Sequence, residues 1–477
     1  MYKRVFSLIS LLVLVAMLVS CAPAATAPEA TEPPQPAAET AQPEVATEAP
    51  AEPPAEAEQI TLRFMSSETD PPSVEAYNQI IAAFEAENPN IKVELELINT
   101  DDLDTKLPTL LATGNPPDVS QMDPQQVYPF ATEGHLLMLD ELADKVGRDD
   151  FLEGSLFEVE GHLYHFPYAG AGSVNWIRVD LFEQYGVKIP TNGQELLEAA
   201  EKLTLDTNGD GEIDIYGIAL PAGTNRWTGH MLNMMRWQNG MNMTDCDFIP
   251  TMDNPETVAA LQYYYDITRF APPGIGSYSY YESTDAIASG KVAMSPYMGR
   301  SLSYVAENAP DMLDKVKAIP LVFGDKNDVT YGGWNVYVAF SASKHPEEAK
   351  QFLAYLTTGE KAALFLKTVQ GHLVPPTHSL MESEVLWDDP LMQSRKEDID
   401  LVFEKANTAL HPAYEACSIG PDGKLTGQYK LNPDMNAYMS QNVLPTMVQM
   451  VVLEGKSPEE AAAWGQAEME RIRTEAQ

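Results

Sequence analysis

Apolar and polar residues alternate at Ile60-Thr-Leu-Arg-Phe64 and again from Ile91 to Leu97, where Lys92, Glu94 and Glu96 fall between apolar neighbours. This period of two is that of a half-buried strand, whose successive side chains point to opposite faces. Between the two runs, Val74, Tyr77, Ile80, Ile81 and Phe84 recur at helical spacing, and Asn88-Pro89 ends that helix. A helix from about Asp102 to Ala112 is expected next, stopped by Gly114-Asn115-Pro116-Pro117, then a short extended run at Asp118–Met122. Strand, helix, strand, helix, strand predicts a parallel sheet with helices on both faces. Ligands of such sheets gather at the carboxyl ends of strands. Glu68 and Asp70 follow the first strand, and Gln121 and Asp123 close the third, so all four belong to one rim.

Further helices are expected over 194–203, 227–239, 255–270 and 434–453. Ser457-Pro458-Glu459-Glu460 is a capping box with proline at the first helical position, opening a last helix to about Thr474.

The other apolar run, Val5–Val19, is too short to span a bilayer and follows Lys3-Arg4. It reads as an export signal, 1–20, with small residues before Cys21. Residues 22–58 hold only Ala, Pro, Glu, Thr, Gln and a single Val. This is a tether rather than a fold, and 21–58 is assigned to it. Leu18-Val19-Ser20-Cys21 resembles the lipobox of bacterial lipoproteins, which implies acylation of Cys21 and an extracytoplasmic protein anchored to the cell membrane by that lipid. An ordinary secretory signal is the alternative.

The chain has 477 residues, and what remains after the tether is too long for one ordinary core, so two lobes are expected. The net charge of −40 repels phosphate backbones and argues against a nucleic-acid partner. Besides Cys21 there are two cysteines, Cys246 and Cys417; the sequence leaves their pairing open.

Several runs, in order, carry a resemblance: Asn88-Pro-Asn-Ile-Lys-Val-Glu94, Leu110-Leu-Ala-Thr-Gly-Asn-Pro-Pro-Asp-Val119, Gly161-His-Leu-Tyr-His-Phe-Pro167, Lys291-Val-Ala-Met294, Tyr331-Gly-Gly-Trp334, Ser343-Lys-His-Pro-Glu-Glu-Ala349 and Gly455-Lys-Ser-Pro-Glu-Glu-Ala461. Together they resemble the extracellular solute-binding proteins of ABC transporters, in the carbohydrate-binding group that includes maltose-binding protein. Arg178 departs from that pattern, standing where the family commonly has Asn. The resemblance implies an α/β, two-lobed, periplasmic-binding-protein-like fold of type II with a hinge between lobes. It assigns 59–172 and 319–357 to lobe 1, and 173–318 and 358–477 to lobe 2. Crossings are expected near Gly172–Asn175, Ala318–Val322 and Leu356–Thr358. It also implies ABC permease subunits as partners of a monomeric receptor.

A sugar offers hydroxyl edges and flat C–H faces, so its site needs aromatic faces beside carboxylates, amides and guanidinium groups. The polar candidates are Glu68, Gln121 and Asp123 from the first lobe and Arg300 from the second. By the resemblance, aromatics near Trp227, Tyr297 and Trp334 face the cleft between lobes. Asp70, before Pro71-Pro72, reads as a cap or turn residue and is left out. Each aromatic has packing as its alternative, and each acid has capping or solvation.

Asp206-Thr-Asn208-Gly-Asp210-Gly-Glu212-Ile-Asp214 matches a calcium loop at its first, third, fifth, sixth and ninth positions. The acid expected at the twelfth is missing, since Gly217 stands there. Asp206, Asn208, Asp210, Glu212 and Asp214 are candidate ligands of a structural calcium; a solvated turn is the alternative. No cofactor is required. No zinc-protease, nucleophile-elbow or phosphate-loop spacing occurs. The favoured reading is a tethered receptor, not an enzyme, that binds a carbohydrate and delivers it to an ABC importer. The alternatives are a receptor for a peptide or polyol phosphate, and a surface glycoside hydrolase, which needs only two well-spaced carboxylates.

Overall fold

In the computed structural model, residues 59–99 and 102–476 are described. The export signal, Cys21 and the tether lie outside the described residues. The alternating runs form strands β1 (Ile60–Ser66) and β2 (Ile91–Leu97), paired in parallel from Ile60–Ile91 to Ser66–Leu97. Leu62 and Phe64 of β1, with Ile91 and Val93 of β2, face the core, and Lys92 and Glu94 face water. β3 (Val119–Met122) joins β1 in parallel, and β4 (Phe166–Gly172) closes the sheet at its far side.

After Ser173 the chain enters a second sheet of three strands, β5 (Val174–Arg178), β6 (Met294–Tyr297) and β7 (Val316–Ile319), with β5 in the middle. Residues 320–331 return to the first sheet as β8 (Gly332–Ala339), which runs antiparallel between β3 and β4. The first sheet is therefore mixed, with order β2-β1-β3-β8-β4. Its core is aromatic: Phe64 meets Tyr77, Tyr337 and Phe352 edge-on at 5.3–5.5 Å.

Two expectations from sequence are corrected. Helix 434–453 is broken in two, Met435–Ser440 and Val443–Val452, because Asn442 adopts a left-handed conformation. The lobe boundary at 358 moves as well. The helix Gly359–Leu366 stays on the first sheet, where Phe365 stacks on Tyr77 at 4.7 Å. Val374 then pairs with Gly170 of β4. The helix Lys396–Asn407 packs along β4, so closely that a Cβ on Gly172 would lie 2.4 Å from the Ala406 nitrogen. The third crossing follows this helix, where Leu410 bridges Tyr331. That helix also touches β7 of the second sheet, and the later helices, Val443–Val452 and Pro458–Ala476, pack with the second lobe. Among the described residues no helix is long and apolar enough to cross a membrane.

Candidate functional site

A row of buried hydroxyls fixes the rim where β1 ends. The hydroxyls of Tyr337 and Tyr77 lie 2.6 Å apart, and that of Tyr77 lies 2.9 Å from Ser66 Oγ. Ser66 Oγ and the Ser67 amide both donate to Oε1 of Gln121, at 3.1 and 2.9 Å. Gln121 thus uses its carbonyl oxygen to tie β3 to the end of β1. Tyr168, stacked on Tyr337 at 4.2 Å, donates to Glu68 Oε1 at 3.0 Å. Glu68 is buried and held at a fixed angle before any ligand is considered.

The second lobe answers these acids with guanidinium groups. Arg226, the first residue of the helix Arg226–Gln238, donates to Asp123 Oδ2 at 2.6 Å. Arg300, the first residue of the helix Arg300–Asn308, donates to Asp70 and lies 3.5 Å from Glu68 Oε2. Burial opposes the Arg300 charge, but Glu68, with Asp70 behind it, pushes its pKa above the ordinary guanidinium value.

Between these pairs runs a wall of rings. Trp227 meets Tyr297 edge-on at 5.0 Å and Tyr331 at 6.0 Å. Tyr331 stacks on His230 at 3.6 Å. Burial pushes His411 down to about 4, and burial with the neighbouring cations pushes His230 and His372 well below the usual histidine range. All three are therefore neutral at pH 7.

The groups share one cavity of about 330 Å³, lined by Glu68, Asp70, Gln121, Asp123, Arg226, Trp227, Tyr297, Arg300, Tyr331 and Trp334 among others. Two buried polar atoms on its lining residues, Trp227 Nε1 and His372 Nδ1, have no partner within the protein. A buried N–H left without an acceptor is costly. A ligand hydroxyl is the kind of group that satisfies it.

All seven candidate binding residues fall on this cavity. Their surroundings differ. Trp334 lies opposite Gly170, and its ring covers that residue so closely that a Cβ there would meet it at 2.6 Å. Asp70 and Arg226 were not among the candidates. Asp70 does sit at a helix N-terminus, but its side chain caps nothing there, and Pro72 at the second helical position has no amide to offer it. Its carboxylate is turned to Arg300 instead. Arg226 carried a weaker signal, a cation one residue before the candidate Trp227. His411 and Tyr331 come from the paired crossings, which sequence spacing does not bring together.

The Asp206–Asp214 loop is closed by its own hydrogen bonds. Asp206 accepts from the amides of Gly209 and Gly211, Asn208 from that of Asp210, Asp210 from that of Glu212, and Asp214 from the amide and hydroxyl of Thr207. Among the described residues no three His, Cys, Asp or Glu side chains are grouped to hold a metal ion. The loop's oxygens serve its own backbone. Cys246 and Cys417, left open by sequence, form a disulfide.

The two α/β lobes thus meet over a polar and aromatic cavity at the ends of the strands. The model of the bacterial extracellular solute-binding protein family matches residues 70–363, and the chain belongs to that family. The arabinooligosaccharide-binding protein of Halalkalibacterium halodurans is 24% identical over 348 residues, covering 67% of this chain and 71% of its own. The mannitol-binding protein of Pseudomonas aeruginosa is 25% identical over 304 residues, covering 61% and 68%. An ABC transporter solute-binding protein of Thermotoga lettingae, solved with α-D-tagatose, superposes with a TM-score of 0.67 at 23% identity, over 87% of this chain and all of the other. That likeness speaks to the fold.

Proposed function

We propose that this protein captures a neutral carbohydrate or polyol between its lobes and delivers it to an ABC importer. The observation that carries the reading is the aromatic wall of Trp227, Tyr297 and Tyr331 in one cavity with the carboxylates of Glu68, Asp70 and Asp123, with the Trp227 N–H unpartnered. Aromatic faces take sugar C–H surfaces, and the carboxylates and the free N–H take hydroxyls. Relatives named for arabinooligosaccharide and mannitol binding support the same ligand class. Charge decides against a polyol phosphate: both cleft guanidinium groups are already bonded to acids, and three carboxylates outnumber them.

Ligand contacts to both lobes stabilise the closed arrangement, which is the form a transporter would meet. Cys21 is the lipid attachment point in this reading, and the Pro-rich segment after it is the tether. Cys21→Ala should release the protein from membranes without changing its ligand affinity. A thermal-shift screen of sugars, polyols, peptides and sugar phosphates tests the function itself. A rise in melting temperature with a neutral sugar or polyol is expected, with the ligand recovered intact after incubation. A rise only with peptides or phosphates would overturn the reading, and turnover of the sugar would favour a hydrolase.

A further inference from the structure

The aromatic wall does not end inside the cavity. Tyr280 stacks parallel to Tyr297 with ring centres 5.6 Å apart, and Tyr281 lies against Tyr280 at 4.1 Å. Trp227, Tyr297, Tyr280 and Tyr281 thus form a continuous row from the buried interior to the rim. Burial falls along it: Trp227 is 4% exposed, Tyr297 6%, and Tyr281 58%. Tyr281 nevertheless lines the same cavity, as do Thr69 and Asn99 from the loops after β1 and β2.

The position of Tyr281 is set by local structure. Tyr280 and Tyr281 are the first two residues of the helix Tyr280–Ala288. Ser279 and Glu282 close a capping box there, and Ser279 Oγ also accepts from the Tyr281 amide. The helix start is therefore rigid, and the ring is presented at the rim before anything binds. An exposed tyrosine held against a second one, at the mouth of an aromatic-lined cavity, has one face free for a flat apolar surface. The cavity volume is also in the range that encloses a drug-sized molecule rather than one small ring.

We propose that Tyr281 is the platform of an outer subsite, so that the preferred ligand is a glycan of two or more units. One unit is enclosed beside Trp227 and Tyr297, and the next lies on Tyr281 at the rim. This rests on the carbohydrate reading above. It makes chain length, rather than the identity of the first unit alone, a determinant of affinity, and it assigns that determinant to one exposed side chain.

The test is calorimetric titration of one-, two- and three-unit saccharides of α-linked glucose, β-linked xylose and α-linked arabinose against the parent protein, Tyr281→Ala and Tyr281→Phe. In the series that binds, the parent should gain about three- to tenfold from one unit to two, the size of one good ring contact. Tyr281→Ala should lose that gain and change single-unit affinity less than about twofold, while Tyr281→Phe should keep it. Equal affinity for one and two units in the parent overturns the proposal, and so does a gain that survives in Tyr281→Ala. Equal losses for one and two units in Tyr281→Ala overturn it too, since they make Tyr281 part of the inner site. If no saccharide binds while another solute does, the carbohydrate reading fails and takes the subsite with it. Tyr281 is exposed, so the variants should fold.

Discussion

The Arg226 guanidinium lies 2.6 Å from Asp123 Oδ2, joining the first turn of a second-lobe helix to the carboxyl end of a first-lobe strand. With Arg300 and Asp70 it makes a second charged bridge across the same cleft. Charge-assisted contacts of this kind contribute about 1.5–3 kcal/mol when partly shielded from water. Arg226→Ala and Asp123→Asn should each weaken ligand binding tenfold or more, and each should enlarge the radius of gyration of the ligand-free protein in small-angle scattering. The double variant should lose clearly less than the sum of the two. Additive losses would mean that the residues act separately on the ligand and do not bridge the lobes.

The Cys246–Cys417 disulfide joins segments 171 residues apart in sequence. A cross-link over so long a loop restricts the unfolded chain strongly, and its loss typically costs about 2–5 kcal/mol. The bond also flanks Glu415, whose carboxylate accepts from Trp237 Nε1 and from the Met243 amide, both at 2.5 Å. Cys246→Ser should lower the melting temperature by several degrees while leaving ligand affinity within about threefold. A variant that melts with the parent would show that the loops are held by other contacts.

Much of the first lobe was legible in the sequence because its elements are locally determined. β2 begins and ends at the residues where the alternation does, and the capping box at Ser457 forms as its residues dictate, with the Glu460 amide donating to Ser457 Oγ. The cleft was legible in part. Glu68 and Asp123 stand beside strands, and the position of a strand end can be read from periodicity. Asp70 was not legible because the usual fate of an aspartate before a helix is capping, and its actual partner, Arg300, lies 230 residues away in the other lobe. The break at Asn442 has no counterpart in the hydrophobic pattern, which continues through it. The third crossing was misplaced because the helix Lys396–Asn407 belongs to both lobes at once, packing on β4 and on β7.

The loop at Asp206–Asp214 bonds to itself, and its stability should not depend on a cation. Chelator should leave the melting temperature unchanged, and added calcium should do the same. Asp206→Ala removes the acceptor of two loop amides and should lower the melting temperature slightly. An increase in melting temperature with calcium, abolished in Asp206→Ala, would place a metal in the loop.

Acid should destabilise the fold through its buried histidines. Burial pushes His165 and His411 down to about 4, and holds His230 and His372 well below the usual value. Each binds a proton more readily in the unfolded chain. As pH falls below about 6.5 the unfolded state is protonated first, so stability present at pH 7 is lost towards pH 4. Glu415 acts in the opposite sense. Burial raises its pKa to about 7, so the folded state keeps this proton longer, and its contribution falls as pH rises from about 4.5 to 7. Four histidines against one carboxyl give a net loss on acidification. Melting temperature should therefore drop between pH 7 and pH 4.5, and drop more steeply in Glu415→Gln, where the opposing group is gone. A parent protein equally stable at both values, or a variant with an unchanged slope, would refute this assignment of the titrating groups.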